Sequence, residues 1–528
     1  MRKLLILGIF TIISTSLVFG QEAPEEPGIV LPRLMLEVQD IDLDDIQTIL
    51  PSQEELGSPD IELPLPQPED LQVDMSSIVL NDSIEITPET TGNRVIPYYA
   101  SGAIGAGSMN YLMGQIELSM PNSNPDFDLK FSHEAMDGYW SGDSYQSAGS
   151  GSYNRQEIFH GDLSIQKDLL TFGGNLDFKE REDGLQNGGG LNEYESQRTR
   201  NIDANGNVTW NIKPHWNVLG YGEYSGFFSV LTGTNPYDTN ENRVKASGGI
   251  QWFSDDVSIK AAPYGQYWSV EKGSKSMAGV EMNSEGAKGT FRYSIDSQLG
   301  WGFNDALWSP FHLTLSYRPN YQLGFEVYGG RIQEYYSTSL INDLYLLPTL
   351  DLKENLGWTG GISASYTWSS FNLSFNVPYS YYESRQVITK DLEAQSGLFV
   401  TEKDDGPQLR PKSTIGYENN GFYTNGGLEL TLFEDSWYED YTKVTWDFGY
   451  ESVSQWGIRW TNWYILRNSG SDSMPQSNIE GYYKVNQGLV IALEGQDLLS
   501  PFISEGRELY GTYLEPGFLV NLQARISF

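Results

Sequence analysis

The sequence ends on Phe518-Leu519-Val520-Asn521-Leu522-Gln523-Ala524-Arg525-Ile526-Ser527-Phe528, and the reading of this stretch decides the fold. In an extended backbone Phe518, Val520, Leu522, Ala524, Ile526 and Phe528 share one face, while Asn521, Gln523, Arg525 and Ser527 share the other. One face suits hydrocarbon and the other water, the period-two signature of a strand in the wall of a transmembrane β-barrel. Phe518, Val520, Leu522, Ile526 and Phe528 are therefore expected to be the lipid-facing residues of the strand that closes the barrel. Arginine in place of Val520 or Leu522 should be damaging, and arginine in place of Asn521 or Gln523 mild.

The same alternation recurs toward the N-terminus as hairpins. Ile362, Ala364, Tyr366 and Trp368 precede a turn at Ser369-Ser370, and Phe371, Leu373, Phe375 and Val377 follow it. Phe311, Leu313, Leu315 and Tyr317 face Leu323, Phe325 and Val327 across Pro319-Asn320 in a second hairpin. A third sets Phe159, Leu163 and Ile165 against Phe172, Leu176 and Phe178. Tight connections at 121–125, 168–169, 213–216, 254–257, 287–290, 318–321, 369–370, 419–421, 452–455 and 486–488 alternate with longer polar stretches. The long set comprises 138–155, 181–200, 230–242, 331–357, 384–409, 468–476 and 498–515, and barrels place short turns in the periplasm and long loops outside.

The count gives about twenty-one strands from Gly107 to Phe528. An even number needs one more, which Val95 to Ser101 can supply, with Gly102, Gly105 and Gly107 in the turn that follows. The expected fold is all-β, a transmembrane antiparallel β-barrel of about 22 strands, or 18 to 20 if the weakly patterned segments 277–286 and 410–418 are not strands. A soluble propeller or sandwich fits less well, because the water-side phase stays polar in most strands and no blade-sized repeat is visible.

Three segments are expected. Residues 1–20 read as a signal peptide, with Arg2 and Lys3 before a short apolar run that reaches Val18-Phe19-Gly20. Residues 21–94 read as a disordered acidic Pro-rich periplasmic tail. Residues 21–95 hold nine Pro, eighteen Asp or Glu, two Arg and no aromatic side chain, too little to build a core. Residues 95–528 read as the barrel. No apolar run of helical membrane length follows residue 20, so any crossing uses strands. The net charge of -37 argues against nucleic acid, whose phosphates demand clustered Lys and Arg. The absence of Cys excludes disulfides, thiolate metal sites and Cys nucleophiles.

The stretch Gly488-Leu489-Val490-Ile491-Ala492-Leu493-Glu494-Gly495-Gln496-Asp497-Leu498-Leu499, a loop, and then Glu515 to Phe528 resemble the closing hairpin of TonB-dependent outer-membrane receptors. Leu347-Pro348-Thr349-Leu350-Asp351-Leu352-Lys353-Glu354 is similar to a loop motif of that family, without its proline after the lysine. The resemblance covers the barrel portion only. It implies nutrient or solute uptake, yet residues 21–94 are too few, too acidic and too proline-rich for the family's plug domain. A separate plug-like or periplasmic protein is therefore an expected partner, beside outer-membrane lipid and the barrel-assembly machinery that the C-terminal strand would engage.

No catalytic, cofactor-binding or metal-ligating residue stands out. His133, His160, His215 and His312 are the four histidines, and none lies in a catalytic motif. His160 and His312 fall on the polar phase and are expected to face the lumen. Asp404-Asp405 and Glu439-Asp440 are expected in external loops, hydrated there, and Asp40 to Asp45 lacks the glycine and distal glutamate of a calcium loop. Two functional classes survive: a receptor-type transporter, and a passive porin-like or structural barrel that docks periplasmic proteins through its acidic tail. Both reside in the outer membrane of a Gram-negative-type envelope.

Overall fold

The computed structural model describes residues 98–528, apart from 142–143, 187–193, 235, 272, 303–306, 337–352, 391–398, 433–440, 453–454, 468–474, 503–507, 510–512, 515 and 528. The expected signal peptide 1–20 and tail 21–94 lie outside the described residues, as do the loop motif from Leu347 to Leu352, Glu439-Asp440 and Phe528. Among the described residues no helix is long and apolar enough to cross a membrane.

The wall begins with β1 (Tyr99–Gly107), β2 (Leu112–Met120), β3 (Asp126–Asp137), β4 (Tyr153–Lys167) and β5 (Leu170–Gly184). It continues with β6 (Tyr194–Lys213), β7 (Trp216–Gly233), β8 (Tyr237–Phe253), β9 (Val257–Val270), β10 (Gly273–Lys288) and β11 (Phe291–Trp301). β12 (Phe311–Tyr317) is extended by a short piece, Leu307–Trp308, on the same neighbour. Then come β13 (Leu323–Tyr336), β14 (Lys353–Trp368), β15 (Phe371–Lys390) and β16 (Lys412–Asn419), the last continuous with Phe399–Leu409 along β15. The series ends with β17 (Phe422–Leu430), β18 (Tyr441–Glu451), β19 (Trp456–Arg467), β20 (Gln476–Asn486), β21 (Leu489–Gln496) and β22 (Leu519–Ser527).

Each strand pairs antiparallel with its sequence neighbours, and β22 returns to β1 through Ser101↔Ser527 to Gly107↔Asn521, closing a barrel of 22 strands. Closure leaves no sheet edge unpaired, the condition for placing strands in lipid. The segments 277–286 and 410–418 lie largely within β10 and β16, so the higher count holds.

The expected hairpins pair as their patterns require. Ile362↔Val377, Ala364↔Phe375, Tyr366↔Leu373 and Trp368↔Phe371 set apolar side chains opposite one another, and most of these are exposed. Large exposed apolar side chains recur at alternate positions around the wall, which is the inverse of a soluble fold and suits hydrocarbon. Aromatic pairs gather beside the short turns: Phe291 stacks on Tyr317 at 4.6 Å, Phe371 meets Tyr417 at 4.7 Å and Tyr450 meets Trp456 at 5.1 Å. They form the interfacial girdle of that rim. The turns themselves are tight: Asn420-Gly421 carries φ of 51° and 81°, the positive values that a two-residue hairpin turn requires.

Four sequence expectations are corrected. The first strand runs Tyr99–Gly107 and contains Gly102, Gly105 and Gly107, which were expected in a turn after a strand at 95–101. A Cβ on Gly107 would stand 2.4 Å from the Val520 carbonyl, so glycine here serves strand packing. Most of 181–200, 230–242 and 384–409 is strand, and only 234–236 separate β7 from β8. Beyond the lipid both faces of a strand meet water, so alternation disappears while backbone pairing persists. Asp404 and Asp405 accordingly lie in a strand, with Asp404 paired to Arg385. Finally, Phe518 precedes β22 and joins Trp140 in an isolated bridge.

Candidate functional site

Residues of the phase opposite the exposed apolar side chains line the interior, and their chemistry is what a solute inside the barrel would meet. On β4 and β5 the His160 ring lies between two carboxylates: Nδ1 is 2.5 Å from Asp177 and Nε2 is 2.6 Å from Asp162. With both ring nitrogens engaged, neither is left to take a proton from a nucleophile. His160 therefore cross-braces neighbouring strands.

A second group gathers where β7 to β10 approach the rim of long loops. Trp268 is almost fully buried, and its indole Nε1 donates to Glu241 at 2.9 Å. The Arg243 guanidinium lies 5.7 Å above the same ring and pairs with Glu223. Tyr335 stands edge-on to Trp268 at 6.0 Å and stacks on Trp308 at 4.9 Å, with the rings 7° from parallel. Trp308 Nε1 donates to Gln298 at 3.0 Å. Below these rings Glu281 is shared by Lys245 at 2.9 Å and Lys260 at 3.6 Å. A recess of about 560 Å³ opens nearby, lined by Lys260, Glu281, Asn283, Asp296, Gln298 and His312 among others.

At the rim itself, burial and the Glu271 carboxylate, which accepts from the Tyr237 hydroxyl at 2.5 Å, hold that phenol well above its ordinary pKa. Burial does the same to Tyr111 in the β1–β2 turn, with Glu134 and Glu494 adding to it.

A third group lies inside the seam. Glu494 on β21 accepts from Asn521 at 3.3 Å and Gln523 at 2.9 Å, and Arg525 reaches Glu480 at 2.6 Å and Gln523 at 2.9 Å. Asn521 is 1% and Gln523 5% exposed, against 56% for Leu522. Ion pairs tie the inner wall at Arg525–Glu480, Lys245–Glu281, Arg243–Glu223 and Arg385–Asp404. It offers a solute hydrogen bonds, aromatic edges and carboxylates.

No family model matches the sequence, and no curated protein matches it. Solved structures do. A mutant of the ferric enterobactin receptor of Pseudomonas aeruginosa superimposes with a TM-score of 0.59 at 9% identity, over 82% of this chain and 80% of that one. An iron transporter of Neisseria meningitidis gives 0.60 at 9% identity, over 82% and 81%. A siderophore receptor of Acinetobacter baumannii gives 0.59 at 9% identity, over 83% and 81%.

The chain has the barrel fold of TonB-dependent receptors. Within this barrel the residues expected at closure are placed as follows. Val520, Leu522 and Ile526 lie on β22 between β1 and β21, with Leu522 and Ile526 exposed. Phe518 sits one residue before that strand, and Phe528 lies outside the described residues. His160 and His312 lie on the inner phase, His133 pairs with Glu157, and His215 occupies a tight turn with φ of 73°. Sequence reasoning missed the group around Trp268, Trp308 and Tyr335. Its only sequence signal is a set of aromatics at strand ends near long loops, a pattern shared with interfacial girdles.

Proposed function

We propose that this protein is an outer-membrane receptor-type transporter that takes up a nutrient or other solute, with residues 21–94 in the periplasm and a separate plug-like or periplasmic partner that closes the lumen. The observation that carries the reading is the closed 22-strand wall itself, whose interior is too wide for its own side chains to fill. Among the described residues the elements outside the wall are two short hairpins, at 139–146 and 508–514, and a single turn of 3-10 helix at Ser500–Phe502. Solved structures that share the fold include a receptor for ferric enterobactin, an iron transporter and a siderophore receptor, which favours uptake over catalysis. The tail's composition, eighteen acidic against two basic residues in 21–95 and no aromatic, favours docking a partner over packing as a plug. The same tail also supports the second reading, a passive or structural barrel that tethers periplasmic proteins.

Planar-bilayer conductance of the purified protein with and without residues 21–94 tests the proposal. Large conductance from both forms, reduced by a copurifying periplasmic protein, is the expected result. A silent full-length protein beside a conducting truncated one would show that the tail is the plug. Conductance that no partner changes would favour the passive barrel.

A further inference from the structure

The outward-facing rows of β3 to β6 change character within one step. Phe131↔Phe159, Phe159↔Phe178 and Phe178↔Ile202 form one continuous apolar row across four strands. The next outward row toward the long-loop rim is His133, Glu157, Glu180 and Arg200, and the one after it is Ala135, Arg155, Glu182 and Arg198. On β6 the outward apolar run is Ile212, Trp210, Val208, Gly206, Ala204 and Ile202. The ten steps from Ile202 to Ile212, at about 3.3 Å each and a tilt of about 40°, cover roughly 25 Å, the height of the apolar band of an outer-membrane barrel. The hydrocarbon boundary therefore falls between Ile202 and Arg200, and the two charged rows stand at the level of lipid headgroups.

The arginines in these rows are held rather than loose. Glu180, only 15% exposed, takes Arg198 on one carboxylate oxygen and Arg200 on the other, with Arg198 Nε at 2.6 Å. Both arginine side chains remain 45% exposed. One carboxylate thus fixes two planar donors by one edge and leaves outward N–H groups to meet a further acceptor. Arg155 is exposed, and among the described residues no ion pair joins it. Tyr153 donates to Glu182 at 2.8 Å, and His133 lies 3.3 Å from Glu157, so the neighbouring carboxylates have partners of their own. In a chain of net charge -37, two rows that set three outward arginines, on β4 and β6, against three glutamates are a local exception.

The geometry points to a docking surface for phosphorylated lipid headgroups of the outer leaflet, with Arg155, Arg198 and Arg200 as phosphate ligands and Glu180 as the residue that positions two of them. Arginine forks match phosphate oxygens in pairs, and the ligand is the chemistry that faces this height of the wall. The surface lies outside the barrel and is independent of any cargo.

The test uses the full-length folded protein in detergent, titrated with bisphosphorylated lipid A, with the same lipid stripped of both phosphates, and with inorganic phosphate alone. The readout is lipid retained by native mass spectrometry and the temperature at which the folded gel band is lost. Wild type is expected to retain the phosphorylated lipid and to be stabilised by it, with the stripped lipid and free phosphate at least tenfold weaker. Arg155→Gln leaves no partner behind and should weaken retention severalfold. The triple change Arg198→Gln, Arg200→Gln and Glu180→Gln removes the fork without stranding a charge, and should abolish the preference for phosphate. Equal retention of both lipids by wild type, or an unchanged preference in Arg155→Gln and in the triple variant, overturns the proposal.

Discussion

The backbone N–H of Phe518 donates to the carbonyl of Trp140 at 3.1 Å, joining the approach to the last strand with a hairpin that follows the third. Between those two strands lies the short β1–β2 hairpin, so the 138–152 connection reaches across the line where the barrel closes. Beside the contact, a Cβ on Gly517 would stand 2.4 Å from the Trp140 carbonyl and 2.3 Å from the Ser500 hydroxyl.

Gly517→Val should therefore separate the two segments. The expected loss is about 1 to 3 kcal/mol, as for other overpacked sites. It is checked by the temperature at which the unboiled protein stops running as the compact band. An unchanged transition would mean that the clasp contributes nothing.

The two faces of β22 should both resist arginine, for different reasons. Leu522→Arg places a charge in hydrocarbon at a cost of about 2 to 4 kcal/mol. Asn521→Arg and Gln523→Arg force a large cation into the mesh around Glu494, where Asn521 and Gln523 are buried, and should also destabilise by roughly 1 to 3 kcal/mol. Folding yield of each variant in lipid vesicles separates this outcome from the mild effect that the polar phase alone would suggest.

Strand parity sets accessibility. Tags near Gly189, Ala394 or Ser471, in segments that the sequence marks as long loops, should be labelled on intact cells, whereas tags at Ser369 or Asn320, in short turns, should not. Labelling in the reverse order would invert the barrel in the membrane.

Alkaline pH should loosen the rim. Tyr237 is protonated in the fold up to a pH well above its unfolded value of 10.0, because burial and Glu271 oppose the phenolate. Between those two values the unfolded chain binds fewer protons than the native one, so this contribution is complete below pH 10 and is lost as pH rises beyond it. Tyr237→Phe should flatten the fall of the unfolding temperature above pH 10, measured by circular dichroism.

Much of the barrel could be read from the sequence because lipid enforces a chemical rule on every second residue. Each of the ten short connections joins two runs such as Tyr366-Trp368 and Phe371-Leu373, and each falls between two strands that pair. The rule is silent where lipid is absent. Glu182, Asp183, Gln197 and Arg198 sit in paired strands, but both faces there are polar, so the segment reads as loop. It is silent also where side chains are missing, as at Gly102, Gly105 and Gly107 in β1. Asn521 and Gln523 show a different limit: alternation reports polarity, and a polar residue inside a wall can be buried by its own partners. The contacts of Tyr335 with Trp268 and Trp308 join strands far apart in sequence, and nothing local announces them.

The described strands differ in length in an ordered way. β6 has 20 residues and β15 also 20, whereas β17 to β22 and β1 to β3 have 8 to 12. Every turn at the girdled rim is short, so the surplus emerges at the opposite end. About nine to eleven residues suffice to cross a bilayer, which leaves roughly 20 Å of sheet standing above the headgroups at β6 and at β15. Among the described strands the rim is therefore high at β6 and β15 and low beside the seam. A rigid body lowered onto these strands alone would touch the high ones first and lean toward the seam.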